Sequence, residues 1–262
     1  MGAIHEDIVA EARRVTDRAL AAGVPVRVLG GVAVGLHAPE GVHPALARPY
    51  RDLDVATTRK RGRQTAQLLI ELGYTPNERF NAMNGVSRLV FYDEEHGRHV
   101  DVFVGTFHMC HELPIADRLE LDGPTVPLAE LLLTKLQIVR LNEKDLFDIW
   151  AILHAHDVAE HDDDTVNAAY VAELLAGDWG LWRTSRQTVE TARERLADSP
   201  LGAEGRALLD ERLARLWERV EAQPKGLRWR TRAKVGDRTK WYEEPEEIEH
   251  GPLASRDSAK PS

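Results

Sequence analysis

The sequence predicts an α/β fold of the α+β kind, with a mixed β-sheet in the first half of the chain and helices in the second. Short β-branched runs separated by turn residues occupy the first 104 residues. From Pro127 onward, apolar residues recur at helical spacing instead. The chain has 262 residues, which is enough for one large domain or two small ones.

The N-terminal region predicts a helix, a strand and a second helix in close succession. Apolar residues at three- and four-residue spacing predict an amphipathic helix over 3–22, ended by Gly23. The β-branched run 26–29 predicts a strand, which leads directly through Gly30 and Gly31 into a short helix over 32–37. A glycine pair between a strand and a helix favours a tight connection.

The next part of the chain predicts the remaining strands of the sheet. The proline-rich segment 38–50 is typical of a loop. Strands are predicted over 53–56, 87–92 and 99–104, and a helix over 61–72. The last two strands are separated by a turn-like segment.

The second half of the sequence predicts a small hairpin, several helices and a tail. A small hairpin is expected over 118–126, and the clearest helices over 128–140 and 145–155. We therefore predict three regions: residues 1–126 as the α/β core with its N-terminal helix, 127–222 as a helical region, and 223–262 as a flexible tail. The tail is first basic and then acidic.

Composition restricts the classes of protein that this chain can be. The net charge of -9 argues against a surface that binds nucleic acid over its whole extent, although it permits a local basic groove. Cys110 is the single cysteine, so no disulfide can form within the chain. No apolar run approaches the ~20 residues that span a bilayer. These features predict a cytoplasmic protein without a membrane-spanning segment.

Three aspartates form the strongest candidate site. Asp52 and Asp54 flank Leu53, so in a strand both side chains point to the same face, about 7 Å apart. Asp101 lies inside the apolar strand 99–104, where an unpartnered carboxylate would be costly to bury. Carboxylates held together repel one another unless a cation is present, and their hard oxygens suit Mg²⁺ or Mn²⁺. Taken singly, each aspartate also fits a solvated strand end or a helix cap.

Gly30 and Gly31 add a second element to this pattern. They follow a strand and open a helix, where backbone N–H groups can receive phosphate and the missing side chain permits close approach. A glycine pair alone is more often only a turn. The ordered set of strand, Gly-Gly, helix, Asp-x-Asp and a later strand aspartate is much more specific.

This ordered set resembles the DNA-polymerase-β-like nucleotidyltransferase superfamily. The motifs that carry the resemblance are Leu29-Gly30-Gly31-Val32, Tyr50-Arg51-Asp52-Leu53-Asp54-Val55 and Val100-Asp101-Val102-Phe103. The segment between Gly31 and Asp52 is longer and richer in proline than the family pattern. The resemblance implies a nucleotidyltransferase core.

A downstream motif is similar to that of AbiEii-type bacterial nucleotidyltransferases. In these proteins a helix lysine, here Lys135, precedes a Lys-Asp-x-x-Asp motif, here Lys144, Asp145 and Asp148. The resemblance suggests Lys135 as a phosphate contact, with Asp145 and Asp148 orienting it or the acceptor. A surface lysine and a helix cap at Asp145 are the alternatives. Arg51 is expected to contact a phosphate or to neutralise the acids.

The resemblance implies transfer of a nucleoside monophosphate from an NTP to an acceptor hydroxyl. Two metal ions would be held by Asp52, Asp54 and Asp101, with Asp101 as the general base. The acceptor stays open between RNA, including tRNA, and a small molecule such as an aminoglycoside. A small antitoxin-like protein partner is also implied. The alternative is a catalytically silent protein of the same fold that binds or regulates.

Overall fold

The computed structural model describes residues 3–38 and 41–244. The first half contains, in chain order, α1 (Ile8–Ala21), β1 (Val26–Leu29), α2 (Gly30–His37), β2 (Leu53–Thr57), α3 (Gly62–Glu71), β3 (Thr75–Pro76), α4 (Glu78–Asn84), β4 (Arg88–Asp93), β5 (Arg98–Val104), β6 (Phe107–His108) and β7 (Glu112–Leu113). The second half contains α5 (Leu128–Leu136), α6 (Glu143–Ala155), β8 (Asp157–Ala159), β9 (Thr165–Asn167), α7 (Ala168–Gly177), α8 (Trp179–Glu194), α9 (Ala203–Ala222) and α10 (Leu227–Val235).

The central sheet is mixed, as predicted. Its five strands run in the order β1-β2-β5-β4-β3. Strands β2 and β5 are parallel, and every other neighbouring pair in this sheet is antiparallel. The parallel pair is central, so each of its strands is buried on at least one face. The fold class predicted from the sequence is confirmed.

The sheet has one face in the hydrophobic core and one face toward the candidate site. The register row of Val28, Val55 and Val102 is fully buried. Side chains alternate along a strand, so the next row, Leu29, Asp54 and Asp101, points to the opposite face. Each fully buried valine contributes about 1.5–3 kcal/mol by leaving water. The valine row therefore fixes the register that brings the two aspartates together.

Several helices begin at side-chain caps. The Asp7 carboxylate accepts hydrogen bonds from the N–H groups of Val9 and Ala10 at the start of α1. At the start of α6, the Asn142 side chain accepts from the N–H of Asp145. Asn142 is thus the cap of this helix, and the Asp145 side chain is left for another contact.

The structure differs from the sequence prediction between residues 105 and 170. The predicted hairpin over 118–126 does not form; instead, Thr125 makes a single parallel bridge with Val28. Arg118 ends a short 3-10 helix and forms an ion pair with Glu130 at 2.7 Å. The pair β8 and β9, within the region predicted to be helical, forms a small parallel sheet of its own.

The segment 223–244 is folded against the helices, whereas the sequence predicts a flexible tail there. It includes α10, and the indole N–H of Trp229 donates to the Leu175 carbonyl at 3.1 Å. The indole N–H of Trp241 donates to Thr184 Oγ1 at 3.1 Å. Trp229 and Trp241 supply the apolar surface that packs this segment, although most of its other residues are charged or polar. The rest of the predicted tail, residues 245–262, lies outside the described residues.

In residues 3–38 and 41–244 no helix is both long enough and apolar enough to cross a membrane.

Candidate active site

Asp54 and Asp101 lie side by side in the central sheet. They are register partners on the parallel strands β2 and β5, so their side chains share one face. Asp52 lies two residues before Asp54 and is exposed. It lines the same cleft as Asp54. The structure thus brings together the three aspartates that the sequence singles out.

Asp54 is held in an environment that opposes its charge. Burial, together with the nearby charges of Asp101 and Asp52, raises its pKa to about 7 against the opposing effects of Lys135 and Arg88. Among the described residues, no hydrogen bond or ion pair satisfies the Asp54 carboxylate. A cation placed here would remove the conflict between the carboxylates.

The carboxylate oxygens of the site therefore suit a divalent cation, although the described residues do not form a complete set of metal ligands. Within the part of the chain that the structure describes, no group of three or more His, Cys, Asp or Glu side chains is arranged to hold a metal ion. Asp52 and Asp54 offer carboxylate oxygens to one cleft, and hard oxygen donors are those that Mg²⁺ and Mn²⁺ take. Asp101 already has a protein partner.

That partner is Arg88, which the sequence analysis did not identify. Its Nε and Nη2 atoms both lie 2.9 Å from Asp101 Oδ1. The guanidinium also lies over the ring of Phe103, 5.2 Å from its centre. Arg88 and Phe103 are register partners on β4 and β5, so strand alternation could have placed Arg88 on the face of Asp101. Asp101 Oδ2 has no hydrogen-bond partner among the described residues.

The two glycines make room for side chains at the beginning of α2. Gly30 has a φ of +69°, and a Cβ at this position would collide with the Asp54 carboxylate. A Cβ on Gly31 would collide with the guanidinium of Arg48. From the sequence, both glycines are predicted to permit close approach of a phosphate. In the structure, the space next to each of them is filled by a charged side chain.

Lys135 is the central cation of the site. It belongs to α5, and only 8% of the residue is exposed. Its Nζ atom lies 3.1 Å from Asp145 Oδ1 and 2.9 Å from Asp148 Oδ2. Burial alone would lower the pKa of Lys135, but Asp148 and Asp145 raise it above its ordinary value, which keeps the ammonium charged. Lys135 is therefore a buried, ion-paired lysine rather than a surface one.

Arg48 is a further cation of the site that the sequence analysis missed. It comes from the proline-rich loop, and its guanidinium forms two hydrogen bonds with the Asp148 carboxylate, at 2.8 and 2.7 Å. The two partners are 100 residues apart, so no local pattern connects them. Arg51 and Lys144, both predicted, are exposed and line the cleft beside Arg48.

The cleft has two chambers that meet at shared residues. The first, of about 330 Å³, is mainly polar and contains the four cationic side chains Arg48, Arg51, Lys135 and Lys144. The second, of about 290 Å³, is more apolar. It is lined by Leu29, Gly30, Arg88, Phe103, Phe107, Met109, Cys110, Thr134, Gln137, Ile138 and Arg140, besides the shared residues. Both chambers include Asp54, Lys135, Asn142 and Asp145. The arrangement can hold an anionic polyphosphate on one side of Asp54 and a second molecule on the other.

Comparison with known proteins finds a family match in the first half of the chain. Residues 5–130 match the model of a family described as "Uncharacterised nucleotidyltransferase". No curated protein matches the chain. Among solved structures, the STING-associated CdnE c-di-GMP synthase from Capnocytophaga granulosa is similar at 11% identity, with 80% of this chain and 82% of that chain covered. Its TM-score of 0.25 is too low to carry an argument. The family match includes the Gly-Gly turn and all three aspartates, so the part of the chain that carries the candidate site is similar to this nucleotidyltransferase family.

Proposed function

We propose that the protein transfers a nucleoside monophosphate from an NTP to an acceptor hydroxyl, with Mg²⁺ or Mn²⁺ bound by Asp52, Asp54 and Asp101. The observation that carries this proposal is the position of Asp54, which lines both chambers of the cleft. A transfer reaction needs its two substrates on either side of one reacting centre. The family match supports the nucleotidyl-transfer part of the proposal.

The first chamber is the proposed NTP site. Arg51, Lys135 and Lys144 line it, and Gly31 places the N-terminal end of α2 at its wall. A triphosphate carries several negative charges, which these cations and the helix N-terminus would stabilise. Lys135 is held by two carboxylates, so its ammonium is already oriented before the nucleotide binds.

Asp101 is the proposed general base. Both bonds from Arg88 go to Oδ1, which leaves Oδ2 able to accept the proton of the acceptor hydroxyl. The hydroxyl oxygen then forms a bond to the α-phosphorus, the bond between this phosphorus and the α,β-bridging oxygen breaks, and pyrophosphate leaves. When bound, the divalent ions would neutralise phosphate charge and lower the pKa of the hydroxyl.

RNA is the proposed acceptor, in the second chamber. Arg140 is exposed at this chamber and has no ion-pair partner among the described residues. Arg88 lies in the same chamber over an aromatic ring. These cations oppose the binding of a polycationic aminoglycoside and favour a phosphate-bearing chain. The alternative acceptor is a small molecule.

Labelling with α-³²P-NTPs tests the proposal. We expect incorporation of label into total RNA with Mg²⁺ or Mn²⁺, loss of the label on adding a chelator, and a fall of at least about 100-fold in Asp54→Asn and Asp101→Asn. Glu71→Gln on α3, outside the cleft, is the matched control and should keep full activity. Label in an aminoglycoside instead of RNA would overturn the acceptor assignment.

Failure of labelling with every combination of NTP and acceptor would favour a different function. If no NTP labels any acceptor and NTP with metal does not raise the melting temperature, the chain is a silent binding or regulatory protein. If label appears but Asp54→Asn retains it, the site assignment is wrong.

The likeness to AbiEii-type proteins extends this proposal. It rests on the order of Lys135, Lys144, Asp145 and Asp148, and on the contacts of both aspartates with Lys135. If the likeness holds, expression of the chain alone should slow bacterial growth, and a small antitoxin-like partner should relieve the effect. Asp54→Asn is the control for growth inhibition that does not depend on the site.

A further inference from the structure

Arg48 connects the proline-rich loop to the helical half of the molecule. Its Nε atom donates to Asp148 Oδ1 at 2.8 Å and its Nη2 atom to Asp148 Oδ2 at 2.7 Å. A planar guanidinium with two parallel bonds to a carboxylate fixes both the distance and the orientation of the pair. A lysine at this position would keep the charge but lose the second bond.

Asp148 is shared between Arg48 and Lys135. Its side chain is only 3% exposed, and its Oδ2 atom accepts from Arg48 and also lies 2.9 Å from Lys135 Nζ. The ammonium of Lys135 is held on its other side by Asp145. The position of Lys135 is therefore set by the balance of two carboxylates, one of which is itself held by Arg48.

The surroundings of Arg48 leave its guanidinium little freedom. It contacts Gly31, where any Cβ would collide with Nη2, and lies 5.1 Å from the ring centre of Tyr50. The Tyr50 ring in turn fills the space that a Cβ on Gly35 would take. Glycines on one face of α2 therefore form the groove in which the loop lies. A side chain enclosed on these sides is preorganised.

We propose that Arg48 is a positioning residue for nucleotide binding. Through Asp148 it holds the Lys135 ammonium at the wall of the first chamber, where Lys135 contacts the NTP phosphates. The proposal rests on the proposed function, because it takes the NTP to bind in that chamber. Without the two bonds from Arg48, Asp148 would be paired with Lys135 alone and would draw the ammonium away from the nucleotide.

A double-mutant cycle tests this mechanism. The affinity for an NTP analogue with a non-hydrolysable α,β-bridge is measured by calorimetry in the full chain, in Arg48→Lys, in Lys135→Met and in the double variant. We expect Arg48→Lys to weaken binding about tenfold in the native background and less than about twofold in the Lys135→Met background, because residues of one ion-pair network couple. Such non-additivity is not expected from a purely structural role.

Two further variants keep the test decisive. Gly31→Ala displaces the guanidinium by the added Cβ and should weaken binding in the same direction as Arg48→Lys if the latter folds poorly. The matched control is Arg98→Lys, which loses part of another buried pair, with Asp93, where Arg98 Nε lies 2.7 Å from Asp93 Oδ2. It should lower the melting temperature and leave the affinity unchanged.

The outcomes separate this inference from the proposed function. Equal effects of Arg48→Lys in both backgrounds, with binding and transfer intact in the native chain, would overturn the positioning role alone. No binding of the analogue to the native chain would overturn both. An effect of Arg98→Lys on affinity equal to that of Arg48→Lys would assign Arg48 to stability instead.

Discussion

At the scale of single residues, the carboxylates of the site differ in whether they have a protein partner. Asp101 has Arg88, and Asp148 has Arg48 and Lys135. Asp54, the register partner of Asp101, is left without such a partner among the described residues. An unpaired carboxylate in this position destabilises the folded state. Such groups occur at functional sites, where a permanent ion-pair partner would prevent the carboxylate from binding a cation or a substrate.

The raised pKa of Asp54 predicts a specific pH dependence of stability. In the folded chain the group keeps its proton up to about pH 7, whereas in the unfolded chain it loses it near pH ~4. Between these values the folded state binds more protons, so this group makes the folded state less stable as pH rises. Asp54→Asn removes the effect. In metal-free buffer its melting temperature should therefore rise relative to the native chain from about pH 4 to about pH 7 and then stay level.

Thermal unfolding across this pH range measures the difference. Asp17→Asn on α1, which removes an exposed carboxylate, is the control for loss of a surface charge. A difference between Asp54→Asn and the native chain that does not change with pH would contradict the prediction. Added Mg²⁺ or Mn²⁺ should stabilise the native chain more than Asp54→Asn.

At the scale of elements, the turn between β1 and α2 places the site. Gly30 opens α2 with a positive φ and lies against the Asp54 carboxylate. Alanine would incur the left-handed backbone strain of about 1–2 kcal/mol and would also push against a carboxylate fixed in the central sheet.

We expect Gly30→Ala to lower the melting temperature more than Gly23→Ala does, and to reduce transfer activity. Gly23 has nearly the same φ, +66°, but nothing lies within 4 Å of a Cβ there, so this variant carries the backbone strain without the collision. Differential scanning fluorimetry and the labelling assay measure the two effects. An equal fall of the melting temperature in both variants would show that the collision with Asp54 does not destabilise Gly30→Ala.

Elements whose stability is local were predictable from the sequence, and those that depend on distant partners were not. The strands that carry Asp54 and Asp101 follow from β-branched runs, and β1 has the bounds that the sequence predicts. The prediction of a hairpin over 118–126 was wrong, and Arg118 pairs instead with Glu130 on α5, beyond the predicted hairpin. Arg48 was not predicted as a site residue because its partner, Asp148, lies on α6 in the second half of the chain.

At the scale of the whole molecule, the sheet and the helical half share one hydrophobic core. A single cluster of buried residues includes Val55 and Val102 of the sheet together with Leu132 of α5, Trp150 of α6 and Leu213 of α9. The boundary predicted near residue 126 marks a change in the type of element, from strands to helices. The core continues across it.

This continuity predicts cooperative unfolding. The segments 3–126 and 127–222 should melt in one transition, with a calorimetric enthalpy equal to the van't Hoff enthalpy, because neither half can keep its core without the other. Differential scanning calorimetry measures both enthalpies. Two resolved transitions would instead assign a separate core to each predicted region.

The shared core also has a consequence for selectivity. The walls of the cleft come from both sides of this core, with Asp54 on the sheet and Lys135 on α5. Walls joined by a packed interior keep a constant separation, since such interiors resist compression and deformation. Substrate choice should then follow from a fit to a preformed shape, with little gained from closure around the ligand. A competitor that is slightly too large would be rejected at entry rather than bound and released unreacted.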